Sequence, residues 1–396
     1  MEQIKKDLEF LSRRLKHRSF ATLQEKEAAD YLLERLKPLV AASDLIPFDV
    51  VSGFGKIKAA YVTEFFIVSL LAIIWPGLSF FYGLFVFVIY LSESFGYPLL
   101  SRLMQTERGH AVGGGINQGN HKTLLVFTAY LDSAYSLTSH PLFLRLSRYL
   151  ELAVRGAMVL TLASCALDMI ARNQGGRYLF SVPLHWSTAV FFLFSGVVIL
   201  LSSFKVQESG GANHNASGMA ALLRIAEKLQ GEPVQGVATM FYLPGGHHAN
   251  SRGMQFFLST LSEIYEQVFF INLESVGAGE LCYSASEGVL HSFACSSRLV
   301  EAADACASGW AARKVSLRSL ISNAYLPLMQ GYEAISLVGL DEKNRPLHYK
   351  KEEDIVDNID MTLIEASADL AIALARRAFS PARAHPDFQK DGHGPV

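Results

Sequence analysis

Charge is scarce in this chain: only 18% of its 396 residues are Asp, Glu, Lys or Arg, while 50% are hydrophobic. So little charge excludes an ordinary cytosolic enzyme and requires that part of the chain lie in lipid. Neither sign prevails, the formal net charge being −2, and no basic aromatic face or zinc-knuckle spacing is present, which argues against a nucleic-acid partner. Cysteine is sparse as well. Cys165, Cys282, Cys295 and Cys306 are scattered without a framework and read as reduced thiols. The opening Met-Glu-Gln-Ile-Lys-Lys-Asp-Leu has no apolar core, so export by a cleaved signal is not expected. Gly113-Gly114-Gly115 has no helix after it carrying Lys-Ser or Lys-Thr, which removes a phosphate cradle and leaves a flexible loop.

What is present in abundance is long apolar sequence. From Phe65 to Leu91 no residue bears a formal charge, a run that one tilted span could use whole. Trp75-Pro76-Gly77 inside it is a turn signal opened by an interface-favouring aromatic, which favours a hairpin of Ile57–Ile74 and Leu78 to about Tyr97. A second pair, Leu150–Ile170 and Trp186–Phe204, is joined by the polar stretch Ala171–Pro183. Arg155 and Asp168 lie near opposite ends of its first member, where they are expected to snorkel to the interfaces. If one sheet takes strands from before and after each insertion, each must cross an even number of times. Lys56, Lys58, Arg102, Arg108, Arg145, Arg148 and Lys205 then flank the spans on the domain side, against Arg172 and Arg177 opposite, so the soluble domain is expected in the cytoplasm.

The remainder reads as α/β, a mixed sheet flanked by helices. Short apolar runs at Leu124–Phe127, Val237–Leu243, Val268–Leu273 and Ile335–Leu340 suit buried strands. Residues 2–18, 22–41, Ala216–Leu229, Arg252–Leu261, Val289–Ala307 and Met361–Phe379 read as helices, with Asn213 or Asn215 capping the third. The expected organisation is one α/β domain assembled from 1–56, 105–140 and 206–379, membrane hairpins at 57–104 and 141–205, and a disordered tail at 380–396.

Five motifs show what kind of domain this is expected to be. Glu208 to Gly218 reads Glu-Ser-Gly-Gly-Ala-Asn-His-Asn-Ala-Ser-Gly; Thr123 to Ser133 ends in Tyr-Leu-Asp-Ser; Met240 to Gly253 carries Gly-Gly-His-His; Phe269 to Gly277 carries Asn-Leu-Glu; and Leu347 to Asp360 reads Leu-His-Tyr-Lys-Lys-Glu-Glu-Asp-Ile-Val-Asp-Asn-Ile-Asp. Together these resemble the di-zinc aminopeptidases, peptidase family M28, which also includes glutaminyl cyclases and the enzymatically silent ectodomain of the transferrin receptor. The resemblance implies a zinc-aminopeptidase-like sheet fold. It also implies that Tyr130, His214, His248, Glu274 and Lys350 stand at the five metal-ligand positions, His247 at the general base, and Asp132 at the retained aspartate beside Tyr130.

All six of those ligand and base positions are substituted, and only Glu274 is a like-for-like change. A bridging carboxylate offers two oxygens to two cations about 3.5–4 Å apart, whereas the imidazole of His214 offers one lone pair. With Asp132 and Glu274 as acids and Lys350 as a cation expected beside them, the pocket is nearly balanced without metal. The favoured reading is a membrane-embedded, non-catalytic binding or scaffold protein with no cofactor, whose partners are the bilayer and a peptide or membrane protein. The alternative is a metallohydrolase, peptidase or amide-processing, in which His214, His248 and Glu274 hold one zinc ion and His247 serves as base.

Overall fold

A computed structural model describes residues 1–51, 54–94, 99, 106–116, 121–133, 135–136, 141–173, 181–204, 207–261, 265–289 and 291–379. The chain opens with helix α1 (Glu2–Leu8), continued by a π-helical turn to Arg14, and α2 (Leu23–Leu36), which Thr22 caps by accepting the Glu25 amide. Both segments are shorter than the periodicity of 2–18 and 22–41 predicts. The linker between them turns back through Ala21, at φ 60°.

Strand β1 (Ala42–Val51) leads into helices α3 (Phe54–Ile74) and α4 (Pro76–Ser94), and the chain returns as β2 (Thr106–Gly115). Strands β1 and β2 pair antiparallel from Ala42 with Gly115 to Val51 with Thr106, so the first hairpin grows from the tip of a two-stranded ribbon. After β3 (Thr123–Thr128), the short β4 (Tyr135–Ser136), α5 (Pro141–Asn173), α6 (Ser181–Phe204) and β5 (Gln207–Glu208) repeat the arrangement, with Tyr135 opposite Glu208. Among the described residues four helices are long and apolar enough to cross a membrane, and the two hairpins pack on each other around Phe65, Val68, Met158 and Phe192.

The rest runs α7 (Ser217–Leu229), β6 (Ala238–Pro244), α8 (Arg252–Thr260), β7 (Gln267–Glu274), β8 (Glu280–Glu287), β9 (Phe293–Ala294), α9 (Ser297–Cys306), β10 (Arg313–Leu317), α10 (Tyr325–Met329), β11 (Glu333–Leu340) and α11 (Met361–Phe379). These strands complete a mixed sheet in the order β1-β2-β6-β3-β7-β11-β8-β10, with β9 on β8. Its centre, β6, β3, β7 and β11, is parallel, and strands such as Leu124–Thr128 and Phe269–Glu274 are buried along their length, as a sheet covered on both faces requires. The fold class predicted from the motifs is the one observed.

Several local expectations are corrected. Gly113–Gly115 is strand, not loop: a side chain at Gly114 would meet Leu36 Cδ2 at 2.7 Å, so the glycine lets α2 lie close on the ribbon. The helix predicted over 289–307 starts only at Ser297, because Gly288, at φ 132°, turns the chain so that Phe293 and Ala294 pair with β8. Neither Asn213 nor Asn215 caps α7, since a π-helical turn at 212–216 precedes it and both side chains bond elsewhere. Asp168 does not snorkel; it is buried, with its Oδ2 2.8 Å from His185 Nε2 on α6. Arg155 reaches across to Tyr90 on α4 and back to Glu151. All four cysteines are free thiols. The tail at 380–396 lies outside the described residues.

Candidate functional site

Three neighbouring parallel strands end at one place, and that edge collects the predicted residues. Tyr130 and Asp132 follow β3, His247 and His248 follow β6, and Glu274 is the last residue of β7. His214 arrives from the turn before α7. That turn needs Gly211 at φ 64°, and it comes close because a side chain at Gly218 would sit 2.3 Å from the Leu273 carbonyl oxygen. Tyr349 and Lys350 arrive from the segment after β11.

The substituted side chains fill the cavity with rings. Tyr130 stacks on His247 at a centroid separation of 4.0 Å and 12° between planes, and meets His214 and His248 edge-on at 5.6 Å each. His214 lies 5.0 Å from His248 and 4.3 Å from Tyr349. The Tyr130 hydroxyl is 3.1 Å from Glu274 Oε1 and 3.2 Å from the His214 carbonyl oxygen, so the acid at a ligand position accepts a phenol. Its other oxygen accepts from Asn272 Nδ2 at 3.4 Å. Asp132 accepts the backbone amides of His247 (2.8 Å) and His248 (2.9 Å), which fixes the loop after β6 rather than a metal. Lys350 Nζ lies 5.0 Å from the Tyr349 ring centre, and both Glu274 and Asp132 favour its charge. The expected closeness of Lys350 to these acids is thus an electrostatic one, while their hydrogen bonds go to Tyr130, Asn272 and the His247–His248 amides.

Electrostatics follow from burial. Loss of water raises Glu274 to about 8 and Asp132 to about 7 and lowers Lys350 to about 8. Burial, then the charge of Lys350, drives His247 down to about 3 and depresses His214 and His248 well below their ordinary value, so the three imidazoles are neutral. Two charged groups not anticipated from the motifs complete the set. Arg18, fully buried, donates to the carbonyls of Leu15 and Leu131 and to Asn215 Oδ1, and Asp354 accepts from Asn213 N (2.5 Å) and Ser209 Oγ (3.3 Å). Arg18 lies in the field of both Asp132 and Asp354. Two cations therefore stand among three acids, one of which, Glu274, holds its proton at neutral pH.

This donor set does not fit two zinc ions. No three of His, Cys, Asp or Glu converge as metal ligands among the described residues. Of the five ligand positions, Tyr130 is a phenol kept protonated by burial and Lys350 is a cation. One feature favours a single ion: both ring nitrogens of His214 and Nε2 of His248 are buried without a hydrogen-bond partner.

The sheet and its flanking helices have a zinc-aminopeptidase-like fold, while the substituted site departs from a two-zinc centre. Residues 194–375 match the model of Peptidase family M28, the family that the motifs resemble. A zinc aminopeptidase from Bacillus subtilis superposes with a TM-score of 0.56 at 13% identity, over 97% of this chain and 96% of that one. A Bacteroides thetaiotaomicron glutaminyl cyclase bound to N-acetylhistamine superposes at 0.53 and 11%, over 94% and 97%. A zinc-dependent exopeptidase from Parabacteroides distasonis does so at 0.51 and 12%, over 94% and 97%. A comparison with curated proteins gives no significant match.

Proposed function

We propose that this protein is a membrane-embedded, peptidase-like binding or scaffold protein that has given up di-zinc hydrolysis. The observation that carries the reading is Tyr130: standing at a ligand position, it stacks on His247 at the base position and hydrogen-bonds Glu274. A general base must take a proton from water near neutral pH, and an imidazole pushed down to about 3 is a poor acceptor. Nothing in the set replaces a bridging carboxylate. The unpartnered nitrogens of His214 and His248 favour, as second reading, one zinc ion held with Glu274 in a remodelled hydrolase.

Elemental analysis of the full-length protein in lipid nanodiscs, together with zinc-titrated hydrolysis of aminoacyl amides, separates the two. The expected result is zinc well short of two ions per chain and no zinc-dependent turnover. Turnover that vanishes in both His248→Ala and Glu274→Ala would replace the binding reading with the enzymatic one.

A further inference from the structure

The loop that carries His247 and His248 is anchored twice. At its start Asp132 accepts the two histidine amides. At its end Arg252, the first residue of α8, places Nη2 3.3 Å from Glu93 Oε2 near the end of α4, and Asn250 Nδ2 reaches the Glu93 carbonyl at 3.4 Å. The Arg252 and Glu93 side chains are only 6% and 3% exposed, an unusual depth for an ion pair between a membrane hairpin and a soluble domain. Tyr61 of α3 lies in the field of both. The chain winds through positive φ at Gly246 (70°), Asn250 (66°) and Ser251 (54°), and backbone bonds from Ser251 N to the His247 carbonyl (2.9 Å) and from Arg252 N to the Gly246 carbonyl (3.0 Å) tie the second anchor to the histidines.

We propose that Glu93 and Arg252 are positioning residues that couple the packing of the first membrane hairpin to the His247–His248 loop. A partner within the bilayer that shifts α4 would then rearrange the ring cluster around Tyr130, and occupation of the cluster would be felt by the hairpin in equal measure. The coupling holds whether the site binds or hydrolyses. Polar glue alone would hold the two parts together without setting the loop.

Carbethoxylation by diethylpyrocarbonate, which attacks neutral imidazole, reads the loop directly. In nanodisc-embedded full chain, Glu93→Gln should raise the reaction rate at His247 and His248 about tenfold, the factor that about 1.4 kcal/mol of lost restraint supplies. The exposed His291 should not change. The exchanged pair, Glu93→Arg with Arg252→Glu, should bring the rates back towards those of the unaltered chain. If Glu93→Gln does not fold, Arg252→Lys, which keeps the charge but withdraws the guanidinium fork, carries the same comparison. Unchanged rates at both histidines, or a rise shared equally by His291, would overturn the coupling.

Discussion

Glu274 keeps its proton up to about pH 8 because burial withdraws water from the carboxylate, so above its ordinary value of 4.5 the folded chain holds a proton that the unfolded chain has released. Stability from this group is present at low pH and lost as pH rises through 8. Asp132 and Asp354, both raised to about 7, act in the same direction. The three depressed imidazoles act oppositely, but their contribution is complete near 6.5, where an unfolded histidine gives up its proton. Lys350, lowered to about 8, adds stability only above that value. Between pH 6.5 and 8 these acids dominate, at up to about 1.4 kcal/mol per pH unit for each proton. Thermal unfolding should therefore show a lower midpoint at pH 8 than at 6.5, and Glu274→Gln should remove part of that difference. A midpoint that rises over the interval, or a difference untouched by Glu274→Gln, would show that the acid is not the protonated partner of Tyr130. The six substituted positions were legible because flanking residues such as Asn-x-Asn-Ala-Ser-Gly keep the motif frame. Arg18 was not. A lone arginine after an amphipathic stretch reads as surface, and only the approach of residues 131 and 215 shows why it is buried. Asp354 and Tyr349 stood inside the quoted motif but carried no signal of their own, since their partners come from distant sequence.

Elements with one clear period were readable to within a residue or two. The closing helix at Met361–Phe379 and the buried strands of the sheet centre are examples, because the sequence there obeys a single constraint. Where tertiary contact competes, as at Phe293–Ala294, local periodicity misled. The four long apolar helices show the same limit: apolar length revealed them, but not the polar belt that joins all four. In that belt Asp168 meets His185, whose Nδ1 is 3.5 Å from Ser164 Oγ; Cys165 meets Ser79 of α4; and Thr188 meets Ser69 of α3. Polar contacts between helices in lipid are worth about 1 kcal/mol each. Asp168→Leu leaves His185 without its acid, so it should lower the unfolding midpoint in detergent and open Cys165, now fully buried, to alkylation by maleimide. If neither changes, the belt does not hold the helices together.

At the scale of the whole molecule, each hairpin leaves and returns through a two-stranded ribbon, β1 with β2 and β4 with β5. The basic flanks read from the sequence predict that the sheet faces the cytoplasm and that the Ala171–Pro183 connection lies across the membrane. A single-cysteine reporter at Gly175, introduced after the native cysteines are replaced, should be labelled from outside intact cells by an impermeant maleimide. One at Gly392 should not, and equal labelling of both would reverse or abolish the arrangement. The order of strands has a further consequence for how the protein is made. The innermost strand β3 is synthesised between the two hairpins, yet both of its neighbours, β6 and β7, follow the second one. During translation β3 must wait with two bare edges while α5 and α6 are made, a state open to wrong pairing with other chains. Slower synthesis or folding of the segment from α5 to β7 should thus lengthen that exposure and lower the yield of the finished protein.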